Sequence, residues 1–202
     1  LSRSHGLEPW SGSWPRPPLP AAPLRLLFFG KVMRYKGVDL LLKALERVDL
    51  PFQLTIAGGC WDADLQQELL RQIEQHPHAS SIQWRREYIP EADIPGLFLN
   101  ADVTLLPYRH IDQSGILFQS LRFGVPLIAS RVGSFERYVT GDIGVTFDTG
   151  DAAALQRAIE DFAQRRGEFA RERVHAAGRR YEWSQTAGVL MPVYACTDGG
   201  AR

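Results

Sequence analysis

Polar and apolar residues alternate along this chain in two rhythms: short unbroken apolar runs, and longer stretches in which apolar residues recur every three or four positions. Residues 24–29, LRLLFF, form the first run, and Gly30 breaks it. Val38, Leu41, Leu42, Leu45 and Val48 then follow at helical spacing, with Asp39 in the first turn, where an acid offsets the helix dipole. A second strand is expected at 52–57, ending in Gly58-Gly59. Asp62 or Asp64 is placed to cap the next helix, which carries Leu65, Leu69, Leu70 and Ile73. A short strand at 82–84 leads to a helix through Ile94, Leu97 and Phe98. Further strands are expected at 103–107, 125–129 and within 141–147. Helices are expected from 115 to Gly124, over 133–139, through Leu155, Ala158, Ile159 and Phe162 after an Asp151 cap, and over 168–180. An apolar segment, 189–195, closes the pattern. Strands alternating with helices predict an α/β class: a doubly wound parallel sheet, Rossmann-like, in one domain spanning 24–195. Residues 1–23, rich in proline with Trp10 and Trp14, read as a linker, tag remnant or covering segment, and 196–202 as a tail.

The stretch 103–136, VTLLPYRHIDQSGILFQSLRFGVPLIASRVGSFE, organises the rest. Its apolar runs flank a polar loop, 108–113, and a helix opening at Ser114-Gly115. Gly124 stops that helix, since glycine takes the left-handed cap conformation cheaply. A strand–helix–strand unit makes the two strands parallel, and ligands bind beyond the carboxyl ends of such strands. The loop and the helix start therefore face a binding edge, where free N–H groups favour an anion. The loop after the first strand, 31–37, carries Lys31, Arg34 and Lys36 between Gly30 and Gly37. These cations read either as a solvated turn or as an anion site. No GxGxxG follows the first strand, so a dinucleotide fingerprint is absent. Gly58-Gly59 permits close approach by a ligand or by a neighbouring helix. His76 and His78 read as surface residues of a turn rather than metal ligands. Glu136 reads as a dipole-favouring acid in a first turn.

Charge and composition narrow the classes. Lysines plus arginines number 23 and acids number 23, so net charge argues for neither nucleic acid nor an anionic membrane. Cys60 and Cys196 stand far apart with no zinc spacing, which points away from a disulfide framework and towards a reducing, cytoplasmic interior. No apolar run approaches the roughly 20 residues a bilayer requires. The chain begins with Leu1 and is expected to be a fragment of something longer.

Several motifs in order resemble the C-terminal, donor-binding domain of family 4 glycosyltransferases of the GT-B fold. They are LRLLFFGKVMRYKGVDLLLKAL, LTIAGG, IPGLFLNADVTLLPY, QSGILFQSLRFGVPLIASRVGSFE and GDIGVTFDTGDAAALQRAI, and together they cover 24 to about 195. The resemblance implies a retaining transferase that takes a nucleotide-diphosphate sugar, without a bound metal or other cofactor. It implies that Gly30, Lys31 and Lys36 hold the diphosphate and stabilise it as leaving group. Lys31 stands where an arginine is usual, exchanging a two-bonded grip for a point charge. Gln113, Ser114 and Gly115 match a QSG form of the helix start. The family commonly has two glutamates eight positions apart here. The second falls on Gln119, which can hydrogen-bond a ribose but carries no charge, and the loop has no glutamate and counts one residue shorter. Glu136 matches a glutamate often found after the GS pair. Tyr88 and Ile89 sit at the base-contacting loop, or form a packed aromatic site. The acceptor half is a separate N-terminal domain in such enzymes, so the chain alone is expected to bind nucleotide weakly and transfer nothing. Glycan or surface-polysaccharide synthesis is the expected context, with peripheral membrane contact open to the whole protein. Another GT-B activity (nucleotide-sugar epimerase or phosphorylase) and a non-catalytic binding or scaffold domain are the alternatives.

Overall fold

The structure, a computed structural model, describes residues 22–111 and 114–181 together with Gly12. Its frame is a six-stranded sheet in the order β3-β2-β1-β4-β5-β6. The strands are β1 (Leu24–Phe29), β2 (Phe52–Ala57), β3 (Ile82–Arg85), β4 (Val103–Leu106), β5 (Leu127–Ser130) and β6 (Gly144–Phe147). All pairings are parallel. The helices are α1 (Val38–Leu45), α2 (Ala63–Glu74), α3 (Ile94–Asn100), α4 (Gly115–Arg122), α5 (Phe135–Tyr138), α6 (Ala152–Gln164) and α7 (Arg171–Gly178). This is the doubly wound arrangement that the alternation predicts. The chain winds outward from β1 to β3, returns to β4 and continues the other way. The loops after β1 and β4 therefore diverge and leave a crevice between them.

Side-chain alternation in β1 divides the core. Leu24, Leu26 and Phe28 join Leu41, Leu45, Leu69 and Ile159 in one cluster, while Leu27 and Phe29 pack with Leu97 and Phe98 of α3 in another. Beyond β1 no helix among the described residues covers this second face. Gln53 and Thr55 of β2 and Gln83 and Arg85 of β3 lie on it, exposed or half-buried. Parallel sheets are ordinarily covered on both faces, and the polar alternation in FQLTIA and IQWR follows from water on one side. A cavity of about 510 Å³ occupies the angle between α3 and this face, bordered by Arg25, Gln53, Thr55, Arg85 and Asn100.

Several boundaries differ from the sequence reading. The strand expected at 125–129 begins at Leu127, because Val125 N still donates to Ser120 O at 2.9 Å and Gly124 N to Leu121 O at 3.0 Å. These two bonds form a Schellman cap on α4, with Gly124 at φ +61°. The helix expected over 133–139 shortens to α5. The helix expected over 168–180 begins at Arg171, because Phe169 turns inward onto Phe162, ring centres 5.1 Å apart. His76 is not a surface residue. It is buried, with Nε2 3.0 Å from Leu42 O, and its Nδ1 accepts from His78 N at 3.0 Å. That acceptor fixes the proton on Nε2, which donates to Leu42 O. Asp62 and Asp151 cap their helices, accepting from Leu65 N and from Ala153 N and Ala154 N. Residues 189–195 and nearly all of 1–23 lie outside the described residues.

The amino end of the sheet is closed by arginines. Asp102 accepts from Arg25 N at 2.8 Å, Arg25 Nη2 at 2.7 Å and Arg166 Nη2 at 2.6 Å. Arg171 donates to Phe123 O at 3.2 Å, Leu99 O at 3.0 Å, Phe98 O at 3.5 Å and Ala101 O. One guanidinium thus serves carbonyls at the carboxyl ends of α3 and α4, where helix dipoles favour a cation. Burial above all draws its pKa down to about 10, so it remains charged at neutral pH. Burial by itself would raise the Asp102 carboxyl. The Arg25 bonds, assisted by Arg166, outweigh that and hold it below the ordinary value. The stabilisation is therefore complete above about pH 4, the unfolded carboxyl's range, and is lost as pH falls through the depressed folded value. Asp102→Asn should cost about 2–4 kcal/mol at pH 7. Urea unfolding should show that gap narrowing steadily below about pH 4.

Candidate functional site

The loop after β1 stays tied to the sheet beyond its last strand residue. Gly30 N donates to Ala57 O and Val32 N to Gly59 O, both at 2.9 Å. Lys31 is thereby held beside the loop after β2, and its Nζ lies 4.5 Å from the centre of the Trp61 ring. The chain then makes a single 3-10 turn, Arg34–Lys36. Gly37 follows at φ +68°, where a Cβ would stand 2.1 Å from Pro107 O. Glycine is required there because the turn is pressed against the end of β4. The Gly58-Gly59 pair has a similar cause, since a Cβ on Gly58 would stand 2.3 Å from Gly30 O. Neighbouring backbone, not a helix, sets that glycine.

This packing buries Lys36, which is 8 % exposed. Its Nζ lies 5.5 Å from the centre of the Tyr108 ring. It also lies 3.5 Å from the point where a Gly30 Cβ would stand, and Ile116 Cδ1 is 3.4 Å from that same point. The Lys36 ammonium, bare Gly30 and the first turn of α4 therefore share one space. Ser114 is buried at the N-cap of α4 and makes no capping bond with its side chain. Leu117 N donates to Ser114 O at 3.2 Å, and Gly115 and Ile116 before it are the positions whose amides a helix leaves without intrahelical partners. Among the described residues, neither Lys31 nor Lys36 joins an ion pair. Burial first, and the Lys31 charge second, draw the Lys36 pKa below the ordinary lysine value. The hollow is thus positive, shielded and, among the described residues, without a counter-charge. Such a place suits an anion.

The other expected residues divide. Gly115 opens α4 at an exposed position, and Gln119 lies half-buried one turn on. Glu136 is exposed in the first turn of α5, beyond the carboxyl end of β5. Tyr88 is 79 % exposed, so it is no packed aromatic, whereas Ile89 is buried with Leu27, Phe29 and Ala57. Gln113 falls outside the described residues. Arg34 turns from the hollow to Asp62 at 3.3 Å and Glu68 at 3.2 Å. The 510 Å³ cavity beside α3 borders none of these positions.

Three residues escaped the sequence reading. Tyr108 is fully buried beneath Lys36, and burial pushes its phenol far above its ordinary value. Its hydroxyl faces Ser114 but closes no hydrogen bond of ordinary geometry. Trp61 is 72 % exposed at the rim. Arg109 holds Asp39 with two bonds, at 2.9 and 2.6 Å. The tyrosine was legible as the residue after a strand-ending proline. The other two contacts reach across the fold and leave no local pattern.

Residues 23–165 match the family described as glycosyl transferases group 1. This chain belongs to that family. Among curated relatives of these transferases, it is 29% identical over 194 residues to D-inositol 3-phosphate glycosyltransferase of Arthrobacter sp. (strain FB24), covering 87% of this chain and 43% of the relative. It is 31% identical over 179 residues to phosphatidyl-myo-inositol mannosyltransferase of Mycobacterium leprae, covering 84% and 46%. The chain thus spans less than half the length of these relatives. By fold it is similar to Anabaena HepE solved with UDP-glucose, with TM-score 0.74, 16% identity, and 88% of this chain on 50% of that one. It is also similar to the C-terminal domain of the group 1 transferase LpcC of Francisella tularensis. There the TM-score is 0.69 with 12% identity, and 78% of this chain covers 85% of that one. The motif resemblance to the C-terminal domain of a GT-B transferase therefore holds. Among the described residues no helix is long and apolar enough to cross a membrane.

Because burial and Lys31 act together on Lys36, its titration reports the hollow directly. Followed by NMR at the side-chain nitrogen, Lys36 should titrate below the ordinary lysine value of about 10.4. Lys31→Met should move the midpoint back upward, and a bound anion should raise it further.

Proposed function

We propose that this domain receives the diphosphate of a nucleotide-diphosphate sugar in the hollow formed by Gly30, Lys31, Lys36, Ser114 and Gly115. In the whole enzyme the sugar then passes to an acceptor with retention of configuration, in glycan or surface-polysaccharide synthesis. The observation that carries this reading is the buried Lys36 ammonium, paired with no carboxylate among the described residues and set beside the first turn of α4 at the β1–β4 crevice. As the glycosidic bond breaks, negative charge gathers on the departing diphosphate. Cations and amides already fixed around that position lower the barrier without reorganising. HepE has been solved with UDP-glucose, which makes uridine donors the first to test. Gln119 is the candidate contact to the ribose, and Glu136 and Tyr88 line the same carboxyl edge. The donor is bound by this half and the acceptor by the other, so the chain alone binds without transferring.

The glutamine at 119 favours one second reading, a domain that binds the nucleotide and performs no transfer. A thermal-shift panel of UDP, UDP-glucose, GDP-mannose and inorganic pyrophosphate on this chain tests the first step of both readings. A ligand at a hundredfold excess over Kd stabilises by roughly 2.7 kcal/mol, a rise of about 5–10 °C for a domain of this size. Lys36→Met should abolish the shift while leaving the ligand-free melting temperature unchanged or higher, because it removes an uncompensated buried charge. No shift with any of the four would overturn the diphosphate reading. Transfer by the full-length enzyme, measured with the same donor, separates catalysis from binding alone.

A further inference from the structure

The loop after β4 holds the loop after β1 by hydrogen bonds from Arg109. Arg109 N donates to Tyr35 O at 2.7 Å, and Arg109 Nη1 donates to Arg34 O at 2.8 Å. The same guanidinium holds both carboxylate oxygens of Asp39, at 2.9 and 2.6 Å. Residues 34 and 35 immediately precede Lys36, and Asp39 follows it in the first turn of α1. Arg109 thus brackets Lys36 from both sides in sequence. Its neighbours add to the clasp: Tyr108 lies under the Lys36 ammonium, and the His110 ring rests 4.9 Å from that of Tyr35. The arginine's own charge is engaged by Asp39.

We infer that Arg109 is a positioning residue: by clamping Asp39 and the carbonyl of Arg34, it fixes Lys36 against the first turn of α4 and so sets the site's grip on a diphosphate. The inference rests on the diphosphate reading above. A planar guanidinium is needed because three acceptors lie in its fork, and a lysine supplies a point charge that reaches one or two of them. The Asp39–Arg109 pair is about one-third exposed, with side chains 32% and 39% exposed. Its contribution to global stability should therefore be small. Displacement of a binding group by even a fraction of an ångström is felt more strongly at the site than in the fold.

Isothermal titration of UDP and of inorganic pyrophosphate into wild type, Arg109→Ala, Arg109→Lys and Asp39→Asn separates the outcomes. The expected result is a loss of about tenfold in affinity for both probes in Arg109→Ala and Asp39→Asn. Arg109→Lys should recover part of it, and melting temperatures should stay within a few degrees of wild type. In the Arg109→Ala/Asp39→Asn double variant, the loss should equal that of either single change, since both break one clamp. Unchanged affinity in both single variants overturns the inference while leaving the diphosphate reading intact. A loss that tracks a large fall in melting temperature in both variants overturns it too, by assigning the pair to the fold. Failure of wild type to bind either probe sinks both readings together.

Discussion

A buried ammonium group that no carboxylate among the described residues pairs with is the constraint around which this domain is built. Placing the Lys36 charge out of water raises the free energy of the folded chain, and the repulsion from Lys31 adds to it. The chain tolerates this because backbone packing leaves the side chain no alternative. The 3-10 turn is pressed on Pro107 through Gly37, and Tyr108 fills the floor. On the proposed function, an anion entering the crevice would supply the missing charge, so that the same group would weaken the empty fold and strengthen the occupied one.

The sheet's topology explains why the hollow lies where it does. The strand order turns at β1 and β4, and the loops that follow them part company there. Each contributes what the other lacks. The first brings cations on a short turn, and the second brings a helix start with amides directed outward. Gly30 matters because it has no side chain, as one there would stand within contact distance of both Lys36 Nζ and Ile116 Cδ1. Membership in the group 1 glycosyltransferases accounts for the pattern without dictating its details, since Lys31 and Gln119 depart from the family's commoner residues.

What could be read from the sequence was local. β1 and β2 fell where the apolar runs placed them, and the helix caps at Asp62, Asp151 and Gly124 follow from short-range backbone chemistry. Lys36 beside Gly37 was recognisable from the motif. The misreadings share a different origin. His76 looked like a turn histidine, yet its partner is Leu42 O, thirty-four residues away. Arg109 passed as part of a polar loop, and Asp39, which does lie in the first turn of α1, gave no sign of its pairing with it, because that pairing spans seventy positions. Val125 was counted into a strand although its amide still serves the helix before it. Phe169 broke an expected helix because the core claimed its ring. Periodicity carries no record of the distant partners of His76 and Arg109, nor of which residue at a helix end the backbone or the core will claim.

Arg171 gives the domain a late-arriving lock. Its guanidinium reaches back about fifty to seventy residues to carbonyls at the ends of α3 and α4, so neither helix is finished at its carboxyl end until α7 has been made. The stretch that defines the family stops at residue 165, six positions before it. A polypeptide trimmed to that stretch would contain every strand and the whole anion hollow, yet it would leave those carbonyls open and Asp102 without one of its two arginines. The stretch that matches the family is therefore shorter than the stretch whose contacts close the amino end of the sheet.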